Sequence, residues 1–264
     1  MNKLSESDIE EFNEHGFLLV KNCFTKSEIE EAIKKTTDFE TMQPNDWEYG
    51  KEMAYYETSK NNSQRIIMRV ENYVDYHKIF SNFAYSKTIL DTIEQLTGEE
   101  FILFKDKINF KKPGGGGFRP HQDKTSKWGQ YGSIFLNAMI TLTESTEDNG
   151  CLEVAPGHHK RGLIGKYDSP LEGEDLKGMK FEMVPTEIGD VLFFDHFTPH
   201  QSKSNKSDQP RSNIYLTYNL LSKGDHRKEY LDKKRHDFPP DGERKEDMKL
   251  KNSPIHEAKY VEKK

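Results

Sequence analysis

The sequence predicts an all-β core with flanking helices, and three features carry that expectation. From Phe101 onward, short runs rich in Phe, Ile, Val, Leu and Thr are broken by Gly, Pro, Asn and Asp, the texture of antiparallel strands. Before Phe101 the apolar residues recur at helical spacing behind capping residues. Helical signals first and strand signals afterwards place the helices beside a β core rather than between parallel strands.

Taken in order, Ser5 or Ser7 caps a first helix with Ile9 and Phe12 on one face, and Gly16 stops it before the apolar run Phe17 to Val20. Thr25 followed by Glu28 is a capping box, and Ile29, Ala32 and Ile33 continue a second amphipathic helix toward Lys35. A third runs from about Ser86 to Thr97, with Ile89, Leu90, Ile93 and Leu96 on one stripe before Gly98. The expected strands are Phe101 to Lys111, Ser133 to Leu142, Cys151 to Val154, Asp190 to Phe194 and Ser212 to Leu221. We therefore expect one domain over residues 1–264: a mainly helical flank over 1–100, core strands over 101–222, and a charged arm over 223–264 that is solvated beyond about Glu243.

Composition narrows the function. The formal charge is -6, with 39 basic and 45 acidic residues mixed along the chain, so no sustained positive field marks a nucleic-acid partner. The two cysteines, Cys23 and Cys151, make neither a CxxC pair nor a disulfide framework, which fits a reducing cytoplasm. Neither a secretory apolar run at the start nor an apolar stretch of membrane-spanning length is present, so a cytoplasmic protein without a membrane partner is expected.

The chemistry concentrates in two segments. Pro113 to Asp123 joins a glycine run, expected to be flexible, to His121 and Asp123, whose side chains share one face of an extended chain and can chelate one ion. An HxD triplet alone is weak, and a surface His beside a capping Asp would account for it. Support comes from Gly189 to His200, an apolar strand that delivers His200 to its far end; His196 competes for that role, with a structural position near the mouth as its plainer reading. Two imidazoles and one carboxylate leave three positions open on an octahedral ion, the pattern of non-haem iron(II) oxygenases; zinc prefers closed sites. Arg211, eleven residues after His200, opens the next strand and offers a planar donor for the remote carboxylate of 2-oxoglutarate, with Ser202 as a further hydroxyl donor.

These motifs resemble the phytanoyl-CoA dioxygenase family of Fe(II)/2-oxoglutarate oxygenases. The resemblance rests on His121 and Asp123, then Asn149-Gly150-Cys151-Leu152-Glu153-Val154-Ala155-Pro156-Gly157-His158-His159, then Gly189-Asp190, Pro199-His200 and Arg211, and it spans roughly Ile9 to Leu221. His158 stands where serine is usual in the family, and His158 and His159 are excluded from the ligand set. The resemblance implies a double-stranded β-helix, or cupin-like jelly roll. It implies iron(II), 2-oxoglutarate and dioxygen as cofactor and co-substrates, with His121, Asp123 and His200 as catalytic metal ligands. It further implies Arg211, Ser202 and Asn109 as the 2-oxoglutarate pocket. Because Asp123 is present, hydroxylation rather than halogenation is the implied reaction.

Three segments, Lys105 to Lys111, His121 to Lys124 and Tyr230 to Pro240, also resemble a bacterial subgroup of 2-aminoethylphosphonate dioxygenases. A small anionic substrate then implicates Lys105, Lys107, Arg119 and Lys124 as cationic donors, and Asp195, Trp128 and Tyr131 around an ammonium. The alternatives are a hydroxylase of a lipid, acyl-thioester or secondary metabolite, a non-catalytic 2-oxoglutarate or metal sensor, and a zinc hydrolase on a similar barrel.

Overall fold

In the computed structural model, residues 3–123, 128–167, 169–245, 248 and 255–257 are described. Among them, five helices, α1 (Glu6–His15), α2 (Lys26–Thr41), α3 (Lys78–Ala84), α4 (Lys87–Thr97) and α5 (Arg227–Asp237), accompany eleven strands. The strands are β1 (Phe17–Val20), β2 (Met53–Thr58), β3 (Arg65–Glu71), β4 (Phe101–Lys111), β5 (Phe118–His121), β6 (Phe135–Thr141), β7 (Leu152–Val154), β8 (Glu182–Val184), β9 (Val191–Asp195), β10 (His200–Ser202) and β11 (Arg211–Leu220). They form a seven-stranded sheet in the order β1-β9-β6-β11-β4-β3-β2 and a four-stranded sheet in the order β5-β10-β7-β8, the two-sheet jelly roll expected from the family resemblance.

Local chemistry sets the helix ends as expected. Ser5 and Thr25 form capping boxes with Asp8 and Glu28, and Gly16 ends α1 in the left-handed region at φ 83°. Gly16 also has to be small, because a Cβ there would collide with the His159 ring and the Thr198 hydroxyl. Ser86 caps α4 through the Ile89 amide.

The large sheet buries a different chemistry on each face. Its outer face, with Ile108, Phe110, Ala138, Ile140, Val191, Phe193, Ile214 and Leu216, packs in one cluster with Phe12, Ile29, Phe39, Phe80, Ile89 and Ile93 of the first four helices. Along the inner face, Met139, Leu192, Phe194 and Tyr215 meet Leu152, Val154 and Val184 of the small sheet. Toward β4 and β3 the same face turns polar: Lys105, Lys107, Asn109 and Lys111 alternate along β4 and stand opposite Thr217, Tyr215, Asn213 and Arg211 of β11. Arg69 and Glu71 of β3 extend these rows beside Asn109 and Lys107.

Two expectations need correction. The flank over residues 1–100 is mainly helical but not separate from the core, because β3 pairs onto β4, β2 onto β3 and β1 onto β9, all in the large sheet. Nor is the charged arm merely solvated. α5 docks on the inner side of β2 and β3 with Leu231 buried beside Met53, Tyr55 and Met68, and residues 255–257 pair with Phe118 and its neighbours through Arg119 N to Ile255 O and Glu257 N to Gly117 O. Ion pairs fix α5: Arg227 Nη1 lies 2.6 Å from Asp106 Oδ1 and Nη2 lies 3.2 Å from Asp75, while Lys234 pairs with Glu71. Asp106 has no exposed side-chain surface and also accepts the Tyr73 and Val74 amides. Among the described residues no helix is long and apolar enough to cross a membrane.

Removing one partner of a buried pair leaves the other uncompensated, so Arg227→Met should lower unfolding free energy by about 3 kcal/mol in urea titrations. The double variant Asp106→Asn/Arg227→Met should lose less than the sum of the two single changes.

Candidate active site

β5 and β10 are antiparallel neighbours, and their register sets His121 directly across from His200. The ring centroids are 4.2 Å apart, and one ligand atom each from His121, Asp123 and His200 lies within 4.8 Å of the others, close enough for one ion to reach all three. Each imidazole is oriented from behind. His121 Nδ1 donates to Arg119 O at 2.8 Å and His200 Nδ1 donates to Thr198 O at 3.0 Å. A carbonyl can only accept, so both Nδ1 atoms carry hydrogen and both Nε2 lone pairs are free to ligate. Burial, reinforced by His200, pushes His121 down to about 3, which keeps the ring neutral as a ligand must be.

Asp123 is oriented the same way: Asn137 Nδ2 donates to its Oδ2 at 2.9 Å, and Asn137 Oδ1 accepts from Thr217 Oγ1 at 2.7 Å. Burial alone would raise the Asp123 carboxyl, but His200, Lys107, His121 and Lys105 outweigh it and hold it below the usual value. Asn137 and Thr217 escaped the sequence analysis; only their place on inward-facing strand positions could have marked them.

Arg211 sits on β11 at 1% exposure, and its Nε and Nη1 have no hydrogen-bond partner among the described residues. A buried guanidinium with two open donors is costly unless a carboxylate completes it, so the residues present fit the remote end of 2-oxoglutarate. The Tyr215 hydroxyl lies within hydrogen-bonding reach of both Arg211 and Asn109, and Asn109 Oδ1 is a buried acceptor without a partner. Lys111, also missed from the sequence, donates to Ser202 Oγ at 2.7 Å, Gly150 O at 3.1 Å and Lys203 O at 2.6 Å. Since Ser202 accepts from Lys111, its own hydroxyl hydrogen is free to be donated elsewhere.

The glycine run is packed, not flexible. Gly114 adopts φ 78°, and a Cβ on Gly117 would collide with the Ser202 carbonyl. Gly116 N donates at 3.1 Å to Glu57 Oε2. The run thus lets β5 approach β10 closely enough to form the histidine pair.

Of the other expected site residues, Lys105 and Lys107 project from β4 toward Asp123 and both act on its charge. Lys105 Nζ stands 5.4 Å from the Trp128 ring centroid, and Trp128, Tyr131, Phe104 and Phe135 form an aromatic wall reached by Tyr230 of α5. Arg119 is exposed and pairs with Glu172, away from the triad. Asp195 accepts the Phe197 amide at 2.7 Å within the turn that leads to His200, and the structure does not bring it to the lysines. His196 is buried with Nδ1 2.7 Å from Phe135 O, its plainer structural reading. Lys124 lies outside the described residues.

Comparison with known proteins agrees with this geometry. The family model described as phytanoyl-CoA dioxygenase (PhyH) matches residues 12–213. The chain belongs to the phytanoyl-CoA dioxygenase family of Fe(II)/2-oxoglutarate oxygenases. It is 34% identical to a 2-aminoethylphosphonate dioxygenase from uncultured bacterium HF130_AEPn_1, over 92% of each chain. A methylphosphonate hydroxylase from Gimesia maris is 32% identical, over 89% of this chain and 88% of the relative. Among solved structures, EctD from S. alaskensis with 2-oxoglutarate and 5-hydroxyectoine superposes with a TM-score of 0.71 at 22% identity, covering 83% of this chain and 77% of that one, which supports the jelly-roll fold. Family membership makes the chain a dioxygenase and sets aside the sensor and zinc-hydrolase alternatives.

One group near the site gives a pH signature in stability. Burial raises the Glu57 carboxyl to about 7, against smaller opposing effects of the Gly116 amide, Lys111 and Lys60. Below pH 4.5 this group is protonated in both native and unfolded chains and has no effect. As pH rises to about 7 the unfolded chain releases the proton first, so stability falls, and above that the full penalty, about 3 kcal/mol, remains. Glu57→Gln should therefore gain stability relative to the parent between pH 5 and 8, as read from urea midpoints across that range.

Proposed function

We propose that this protein, acting as one domain, hydroxylates a C–H bond of a small organophosphonate such as 2-aminoethylphosphonate. The observation that carries this reading is the pair of inward-facing lysines, Lys105 and Lys107, beside the triad. Two relatives at 32% and 34% identity, each named for a phosphonate, support it. A lipid or acyl-thioester would require an apolar lining in place of the charged rows of β3 and β4.

In this reading His121, Asp123 and His200 hold iron(II), and Arg211 takes the remote carboxylate of 2-oxoglutarate with Ser202 and Asn109 beside it. The iron, when bound with 2-oxoglutarate, supplies the activation of dioxygen. The chain does the rest. Thr198 O and Arg119 O fix the tautomers of the two imidazoles, Asn137 fixes the carboxylate, and Lys111, by donating to Ser202 Oγ, leaves that hydroxyl hydrogen available to a ligand. Trp128, Tyr131, Phe104 and Phe135 exclude water from one side of the site.

The test is succinate formation by iron-loaded protein given 2-oxoglutarate and air, with and without 2-aminoethylphosphonate or methylphosphonate. Stimulation by a phosphonate that disappears in His200→Ala is the expected result, and succinate that no phosphonate increases would discard this substrate class. Asn137→Ala should weaken iron binding by about 10–100-fold while leaving the fold intact. Arg211→Met should raise the KM for 2-oxoglutarate by about a hundredfold, the scale of a lost charge-assisted pair.

A further inference from the structure

The polar end of the inner face carries an imbalance of charge. Arg69, Lys105, Lys107 and Lys234 converge there from β3, β4 and α5, and the carboxylates that act on them are Glu71 and Asp123. Glu71 is fully buried and already shared: Arg69 Nε lies 2.9 Å from its Oε1, and Lys234 pairs with its Oε2. Those cations hold its carboxyl well below the usual range although burial opposes them. Asp123 belongs to the triad, so neither carboxylate forms a direct ion pair with the two lysines of β4, on which both act through space.

Those two lysines differ in their company. Lys105 is bonded to the Tyr230 hydroxyl. Burial would depress it, but Tyr230, Glu71 and Asp123 push it up to about 12. Lys107, one inward step along the strand, makes no hydrogen bond or ion pair among the described residues; the Tyr215 and Phe118 rings lie 4.8 Å and 5.8 Å from it, and Asp123 and Glu71 act on it through space. Burial and the neighbouring Lys105 bring it down to about 8. Both lysines keep some accessible surface, as do Asp123, Tyr230, Arg69 and Lys234.

A partly desolvated ammonium without a counter-charge is unfavourable unless a ligand brings one. Lys105, Lys107 and the Tyr230 hydroxyl offer donors from two elements on one face, a set suited to a tetrahedral head with three acceptor oxygens.

We propose that Lys107 and Lys105 form a subsite selective for a doubly charged phosphonate head, with Lys107 as the specificity-determining residue that rejects singly charged isosteres. The inference rests on the phosphonate reading above and adds what that reading leaves open, namely which charge state is recognised and by which side chains. A sulfonate has the same tetrahedral shape with one negative charge fewer, and would leave Lys107 uncompensated.

The discriminating pair is 2-aminoethylphosphonate and taurine, its sulfonate isostere. Binding is measured by calorimetry on the full chain loaded with cobalt(II) and 2-oxoglutarate under argon, so no turnover is needed. The phosphonate should bind at least about tenfold more tightly than taurine, and Lys107→Gln should erase most of that preference while Lys107→Arg restores part of it. Titration of 2-oxoglutarate into each variant shows that the pocket is folded. Equal affinity for phosphonate and taurine in the parent, or an undiminished preference in Lys107→Gln, overturns the subsite while leaving the phosphonate reading standing. Failure of both 2-aminoethylphosphonate and methylphosphonate to bind a protein that takes 2-oxoglutarate normally overturns both.

Discussion

An ion that must be reached by three side chains depends on backbone placement more than on any one contact, and in this protein that placement is the pairing of β5 with β10. The register that sets His121 across from His200 is held by a short ladder with an irregularity between His200 and Ser202. It has little redundancy of its own. It is secured from both sides: β7 pairs with β10 from Val154 to Leu152, and the glycine run lies against Ser202 and Lys203 with no room for a Cβ at Gly117. A residue step in this ladder would turn His200 to the other face and dissolve the triad, so the packed glycines and the β7 contact specify register where hydrogen bonds alone would not.

The same constraint explains why the inner face can be so polar. The outer face of the large sheet and the first four helices form the main apolar cluster, leaving the inner face free to carry charge toward β4 and β3. Burying Arg69, Lys105, Lys107, Lys111, Lys234 and Arg211 would be prohibitive without compensation. Each is met differently: Lys111 by three oxygens, Arg69 and Lys234 by Glu71, Lys105 by Tyr230 and Asp123, and Arg211 and Lys107 by nothing fixed that matches their charge. The two incompletely compensated cations stand where, in the proposed reading, 2-oxoglutarate and an anionic substrate would enter. The fold thus gives up stability at the positions where ligands restore it.

How much of this could be read from the sequence follows from how local each feature is. His121 and Asp123 sit in one short segment, and His200 and Arg211 open the consecutive strands β10 and β11, which cross from one sheet to the other, so their spacing survives as a pattern. Capped helices such as α1, α2 and α4 announce themselves through Ser5, Thr25 and Ser86 and an apolar stripe. β3 does not, because its inward Arg69 and Glu71 look like surface charge until β4 is known to lie beside them. α5 is invisible for a related reason: it docks through Arg227, Lys234 and the ring of Tyr230 with little apolar stripe, so its sequence resembles a solvated tail. Asn137 and Thr217 lie in apolar runs where a single polar residue gives no sign of what it bonds to.

Reaction type and substrate therefore differ in legibility for a structural reason. The groups proposed to ligate metal and to take a keto acid lie at the ends of β5, β10 and β11, whose order along the chain is fixed by the jelly-roll topology. The cationic space beside them is assembled from β3, β4 and α5, elements drawn from both ends of the chain and joined only in the folded state. A change at Lys234 would alter the cationic face without direct contact with the triad, a change at Lys107 would also alter the charge environment of Asp123, and a change at Gly117 or Asn137 would disturb the triad whatever the substrate. The two sets meet at Asp123, His121 and Tyr215, so substrate preference can drift on this scaffold only as far as those shared neighbours allow.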